Sequence, residues 1–211
     1  MGRLSDKGIN GPFKGKVGKV SGSSRNGKHY IKGPTKKRTK KISAAEKLNR
    51  AGFSAAQYWL KPLLDFVREG FKIKHITSDS FITAKSYLMK NAVEGVKPDQ
   101  YINPAKVKVS SGSLFCTEEA SVELIEEGRL EFSWDTQLLA NSTSVDQVMI
   151  LAYDLKDEMA YFTTTGQFRH VGKDDLPIPR TKGAVYHLYI AFNAHDRSNQ
   201  SDSMYLGTIT I

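Results

Sequence analysis

"AVYHLYIAFN", residues 184–193, decides how most of this chain folds. Tyr186, Leu188, Ile190 and Phe192 recur at every second position, so an extended backbone puts them on one face. Tyr, Ile and Phe also suit a pleated, half-buried surface. His187 alternates with them and is expected to face away or to pack under a neighbouring loop. The same period of two runs outward from this stretch. It appears in "SVELI" (121–125), in "GRLEFSWD" (128–135) through Leu130, Phe132 and Trp134, and in "DQVMILAYD" (146–154). "EMAYFTTT" (158–165), "DDLPIP" (174–179) and "SMYLGTITI" (203–211) complete the set. Seven short strands separated by turn signals predict an antiparallel β-sandwich over 111–211.

Upstream, the period changes. Residues 43–70 open with Ser43 and Glu46, the spacing of a capping box. Leu48, Ala55, Trp59, Leu63 and Phe66 then follow helical spacing. Pro62 should start a second helix or kink the first, and Gly70 should end it. A further helix is expected over 78–93, capped by Ser78 or Asp79, with Phe81, Ala84, Tyr87 and Leu88 on its apolar face. "VEGVKPDQYINP" (93–104) reads as a link and "AKVKVSSGSL" (105–114) as an extended strand. The fold class is therefore α+β: an N-terminal hairpin and basic arm over 1–42, a helical unit with its connecting strand over 43–110, and an immunoglobulin-like sandwich over 111–211.

Seven glycines fall within residues 8–33. Asn26-Gly27 is a strong signal for a tight hairpin, between "KVGKVSGSS" and "KHYIKG". A lone two-stranded hairpin is marginal in water, so this one must lie on something. "GPTKKRTKKISAAE" (33–46) follows, with five cations between positions 36 and 41. The net charge of +9 is unevenly spread. Residues 1–50 hold 15 Lys/Arg against 2 Asp/Glu, whereas residues 111–211 hold 7 against 15. Such a split points to an anionic partner for the arm, or to the arm of one copy meeting the acidic domain of another.

Candidate polyanion contacts are Lys14, Lys16, Lys19, Arg25, Lys28, Lys32, Lys36, Lys37, Arg38, Lys40 and Lys41. Each can neutralise a phosphate, and such binding falls steeply with salt. Phe13, His29 and Tyr30 could stack on unpaired bases. No nucleic-acid reading module is recognisable, so contact with DNA or RNA would be sequence-neutral. Phe13, Tyr30, Trp59, Leu63 and Phe66 form the candidate partner face, although the three helical residues are expected first to pack the helices together or against the hairpin.

Catalytic and cofactor signatures are not found. Cys116 is the single cysteine, so no disulfide can close within the chain. "AHDRS" (194–198) places His195, Asp196 and Ser198 close in sequence, but a triad is made in space and this stretch reads as a polar turn. Glu118/Glu119, Glu126/Glu127 and Asp174/Asp175 read as a solvated acidic rim. "GKVGKV" lacks the spacing of a phosphate loop. No metal, cofactor or enzymatic activity is expected. Neither a secretory signal nor an apolar run long enough to span a membrane is present, so a cytoplasmic protein, or part of a particle assembled there, is expected.

Trp134 and "YHLYIAFNAHDRSNQS" (186–201) resemble the fibronectin type III and related immunoglobulin-like domains, with Asn199 where those usually carry Gly. "GINGPFKGKVGKVSGS" (8–23), "GKHYIKG" (27–33), "AGFSAAQYWLKPLLDFVREGF" (51–71), "AKSYLMKNAV" (84–93) and "DQVMILAYD" resemble a family of roughly 200-residue proteins from Bacteroidota with no assigned activity. The glycine-rich opening, cationic run and helix also resemble short phage-encoded proteins, which implies a virion or mobile-element setting. The expected function is a non-catalytic structural or assembly protein that uses the arm and the sandwich for protein contacts, by self-association or with another protein. The alternative is a sequence-neutral nucleic-acid-binding protein that grips phosphates with the arm.

Overall fold

The computed structural model describes residues 2–3, 11–25, 27–34, 36–37, 39–72, 80–95, 100–126 and 128–211. The chain divides into two compact units, Met1–Ser43 and Ala44–Ile211.

The first unit is a four-stranded antiparallel sheet. Its strands are β1 (Gly2–Arg3), β2 (Gly15–Val17), β3 (Val20–Arg25) and β4 (Lys28–Lys32), in the order β1-β4-β3-β2. The expected hairpin joins β3 to β4, with Arg25 opposite Lys28 and Gly27 at a φ of 69°. A second hairpin joins β2 to β3 within what reads as one strand. Val17 pairs with Val20 across Gly18, whose φ of 58° lies in the left-handed region that glycine adopts most readily. Phe13 lies over Gly22, where a Cβ would overlap the Phe13 carbonyl and ring.

The second unit begins with α1 (Ala44–Leu60), a 3₁₀ turn carrying Pro62 (Lys61–Leu63) and α2 (Leu64–Gly70). Pro62 thus tightens the helix for one turn without ending it. A third helix, α3, runs over Ser80–Asn91, and its expected caps Ser78 and Asp79 lie outside the described residues. Two short strands, β5 (Val93–Glu94) and β6 (Tyr101–Ile102), pair with each other. The stretch 105–114 is not a strand. It begins in a 3₁₀ turn, Pro104–Lys106, and its polar groups bond mainly to the end of α2 and to the 199–203 segment ahead of β13, not to a neighbouring strand. Ser110 Oγ donates to the Gly70 and Ser201 carbonyls, and Gly112 N donates to Asp202.

All seven expected sandwich strands form: β7 (Ala120–Glu126), β8 (Arg129–Trp134), β9 (Gln147–Asp154), β10 (Met159–Thr163), β11 (Lys173–Pro177), β12 (Val185–Asn193) and β13 (Met204–Thr210). They make a three-stranded sheet, β11-β8-β7, and a four-stranded sheet, β10-β9-β12-β13. Leu130, Phe132 and Trp134 of β8 bury against Val148, Ile150, Leu188, Ile190 and Phe192 of β9 and β12. Trp134 meets Phe192 edge-on at 5.7 Å.

The opposite face of the four-stranded sheet is buried too. Met149, Leu151, Tyr153, Tyr189 and Ala191 pack against Trp59, Leu60, Leu63, Phe66 and Leu88 of the helices and the turn between them. Trp59 meets Tyr153 edge-on at 5.1 Å, and Phe66 meets Phe162 at 5.7 Å. The second unit therefore has three layers: helices, four-stranded sheet, three-stranded sheet. The expected boundary near residue 110 falls inside it, with Val107 and Val109 in the helix–sheet cluster. Trp59, Leu63 and Phe66 are not a partner face. Their large apolar side chains are drawn onto the sheet, leaving exposures of 7%, 0% and 0%.

His187 lies on the helix side of β12, where its Nδ1 sits 2.9 Å from the Tyr205 hydroxyl. Burial pushes its imidazole below the ordinary 6.5 and outweighs the opposing pull of Asp154. The unfolded chain therefore takes up a proton at a pH where the folded one does not. Stability should fall as pH drops below about 6.5 and level off under the folded value. Urea midpoints across that range check this, and His187→Gln should flatten the slope; an unchanged slope would remove His187 as its source.

Candidate functional site

Opposed residues in a sheet share a face and successive residues alternate, so register decides which cations of the N-terminal sheet act together. Lys16 pairs with Ser21 and Ser21 with Lys32, Ser23 pairs with Tyr30, and Arg25 pairs with Lys28. These residues occupy one face. Val17 and Val20, Gly22 and Ile31, and Ser24 and His29 occupy the other, with Phe13 lying over Gly22.

The sheet is thus amphipathic. One face carries Lys16, Arg25, Lys28 and Lys32, all exposed, around a half-buried Tyr30. Arg25 and Lys28 oppose each other directly, an arrangement that costs free energy until an anion relieves it. Phe13 and Tyr30 lie on opposite faces and do not form one stacking platform. Lys14 precedes β2, and Lys19 lies in the turn after it. Lys36, Lys37, Lys40 and Lys41 are exposed between β4 and α1, and Arg38 lies outside the described residues.

A second charged surface covers the outer face of the three-stranded sheet. Glu123 pairs with Glu131 and Glu131 with Asp175, so three carboxylates stand in one row. Lys173 reaches Glu131 at 3.0 Å and Arg129 reaches Asp175 at 3.4 Å. Single-residue reading missed this row because it depends on two strand pairings at once.

A groove of about 820 Å³ runs between edge strands β10 and β11. Several of its polar atoms are already engaged. Gln147 Oε1 accepts from Arg197, Asp174 Oδ2 accepts from Gln167 N at 2.9 Å, and Thr163 Oγ1 accepts from Thr165 N at 3.4 Å. In the 194–198 turn, Asp196 Oδ1 accepts from Ser198 N at 2.9 Å, which ties the carboxylate to its own loop. Cys116 is half-buried, and desolvation pushes its thiol above the ordinary range, so the nucleophilic thiolate is disfavoured. Among the described residues, no group of three or more His, Cys, Asp and Glu side chains is placed to hold a metal ion. No helix among them is long and apolar enough to cross a membrane.

A protein-family model described as "Family of unknown function (DUF6266)" matches residues 12–207, a span that covers the cationic sheet from Phe13 onward and nearly all of the three-layer unit. No curated protein matches the chain.

Proposed function

We propose, from the premise that the chain belongs to the DUF6266 family, that it is a non-catalytic assembly protein whose cationic N-terminal sheet face docks on an acidic protein surface. The observation that supports this reading is the segregation of Lys16, Arg25, Lys28 and Lys32 onto one face. Cations scattered over both faces would make a solvated tether. Gathered on one face, they make a surface whose mutual repulsion an opposing anionic surface removes.

Light-scattering mass of the nuclease-treated protein tests this. The full chain should assemble at about 0.05 M salt and dissociate at about 0.5 M, because the Debye length shortens severalfold between them. A chain beginning at Ser43 keeps the whole three-layer unit and should stay monomeric at both. A full chain that is monomeric at both salts would overturn the reading.

Tyr30 favours a second reading. It sits among the cations and offers an aromatic surface to an unpaired base, as sequence-neutral single-strand binders do. In that case the untreated protein would carry nucleic acid, visible in its 260/280 nm absorbance ratio, and high salt would strip it off.

A further inference from the structure

The outer face of the three-stranded sheet carries an acidic central row. Glu123 and Asp175 are exposed at the two ends of that row, and Glu131 between them is half-buried. Neighbouring strands are about 4.8 Å apart, so the two ends of the row stand about 10 Å apart. Lys173 and Arg129 share this face and pair with Glu131 and Asp175, which leaves the row a net negative charge with Glu123 unpaired by them.

The cationic face of the N-terminal sheet repeats that spacing with the opposite sign. Lys16 and Lys32 stand in one row, two strands apart, with the small Ser21 between them. We infer that the outer face of the three-stranded sheet is the docking surface for the N-terminal sheet of a second copy of this chain. Lys16 and Lys32 meet Glu123 and Asp175, while Ser21 leaves room for Glu131, which Lys173 already pairs. This inference rests on the assembly reading above and names its partner surface. The two surfaces differ, so the contact is head-to-tail. It closes into a ring or runs on as a filament, according to the rotation between copies.

Sedimentation of the full, nuclease-treated chain at about 0.05 M salt tests it. Lys16→Glu with Lys32→Glu, and separately Glu123→Lys with Asp175→Lys, should each weaken self-association by about ten-fold or more. Mixing the two variants should restore it, because each contact between unlike variants again pairs opposite charges. Circular dichroism melts establish that each variant is folded. If the lysine variant of the acidic row fails to fold, Glu123→Gln with Asp175→Asn takes its place and should weaken association in the same direction. Loss of association in the Lys16/Lys32 variant with none in the acidic-row variants would overturn this surface and leave the assembly reading standing. A wild-type chain that stays monomeric would overturn both.

Discussion

Arg169→Ala is expected to destabilise the three-layer unit by about 3–5 kcal/mol, read as a lowered urea midpoint at unchanged slope. Arg169 sits in the 3₁₀ turn Arg169–Val171 just before β11 and is fully buried. Its Nε lies 3.3 Å from Asp146 Oδ2, and Asp146 is itself 1% exposed. Its other guanidinium nitrogens donate to the Phe115 and Cys116 carbonyls. The guanidinium also stacks over the Phe192 ring at 3.8 Å, and the Arg169 carbonyl accepts from Trp134 Nε1 at 2.8 Å. One side chain therefore ties the 115–116 segment, the start of β9 and the inter-sheet core together. Truncation leaves the buried Asp146 carboxylate without its counter-charge, although Thr143 N and Oγ1 still donate to it, and strips the two backbone carbonyls of their donors. Arg169→Met with Asp146→Leu should cost less than Arg169→Ala, because no buried charge is stranded. A double variant less stable than the single would show that the bonds from Thr143 to Asp146, which only the double removes, outweigh the stranded charge.

Phe66→Ala is expected to cost about 3–5 kcal/mol and to act on the whole three-layer unit, not on the helices alone. Phe66 is fully buried between α2 and the four-stranded sheet, edge-on to Phe162. Removing its ring leaves a cavity at the layer where helices meet sheet. The two tryptophans report on different layers: Trp59 lies at the helix–sheet contact and Trp134 between the two sheets. If residues 44–211 unfold as one cooperative unit, Phe66→Ala moves the transition seen by each tryptophan equally. Single-tryptophan variants with the other replaced by Phe separate the signals. A shift seen by Trp59 alone would mean that the helices melt independently of the sandwich.

Much of this was legible in the residues themselves. Alternation in β8 and β12, with short apolar runs between turn signals elsewhere, located all seven sandwich strands, since both are local properties of an extended chain. Glycine at a position that needs positive φ marked the turn between β3 and β4 at Gly27. Pro62 marked where α1 gives way to the next helical segment, though not that one turn there is 3₁₀. The family resemblance carried by the glycine-rich opening and the helical segment agrees with the matched span of 12–207.

Other features depended on what each segment meets in space. "VMILAY" (148–153) is apolar at every position because β9 is buried on both faces, and that required knowing that the helices return onto the sheet. The same return turned Trp59, Leu63 and Phe66 from a candidate surface into core. Arg169 reads as a surface cation in a loop until Asp146 and two carbonyls, distant in sequence, close around it. Composition determined that the front of the chain is basic and the back acidic, because net charge is a sum over residues and needs no geometry. Only the tertiary structure decided that the charges gather on single faces, because a strand's pairing register sets which side chains stand side by side, and register is a long-range choice.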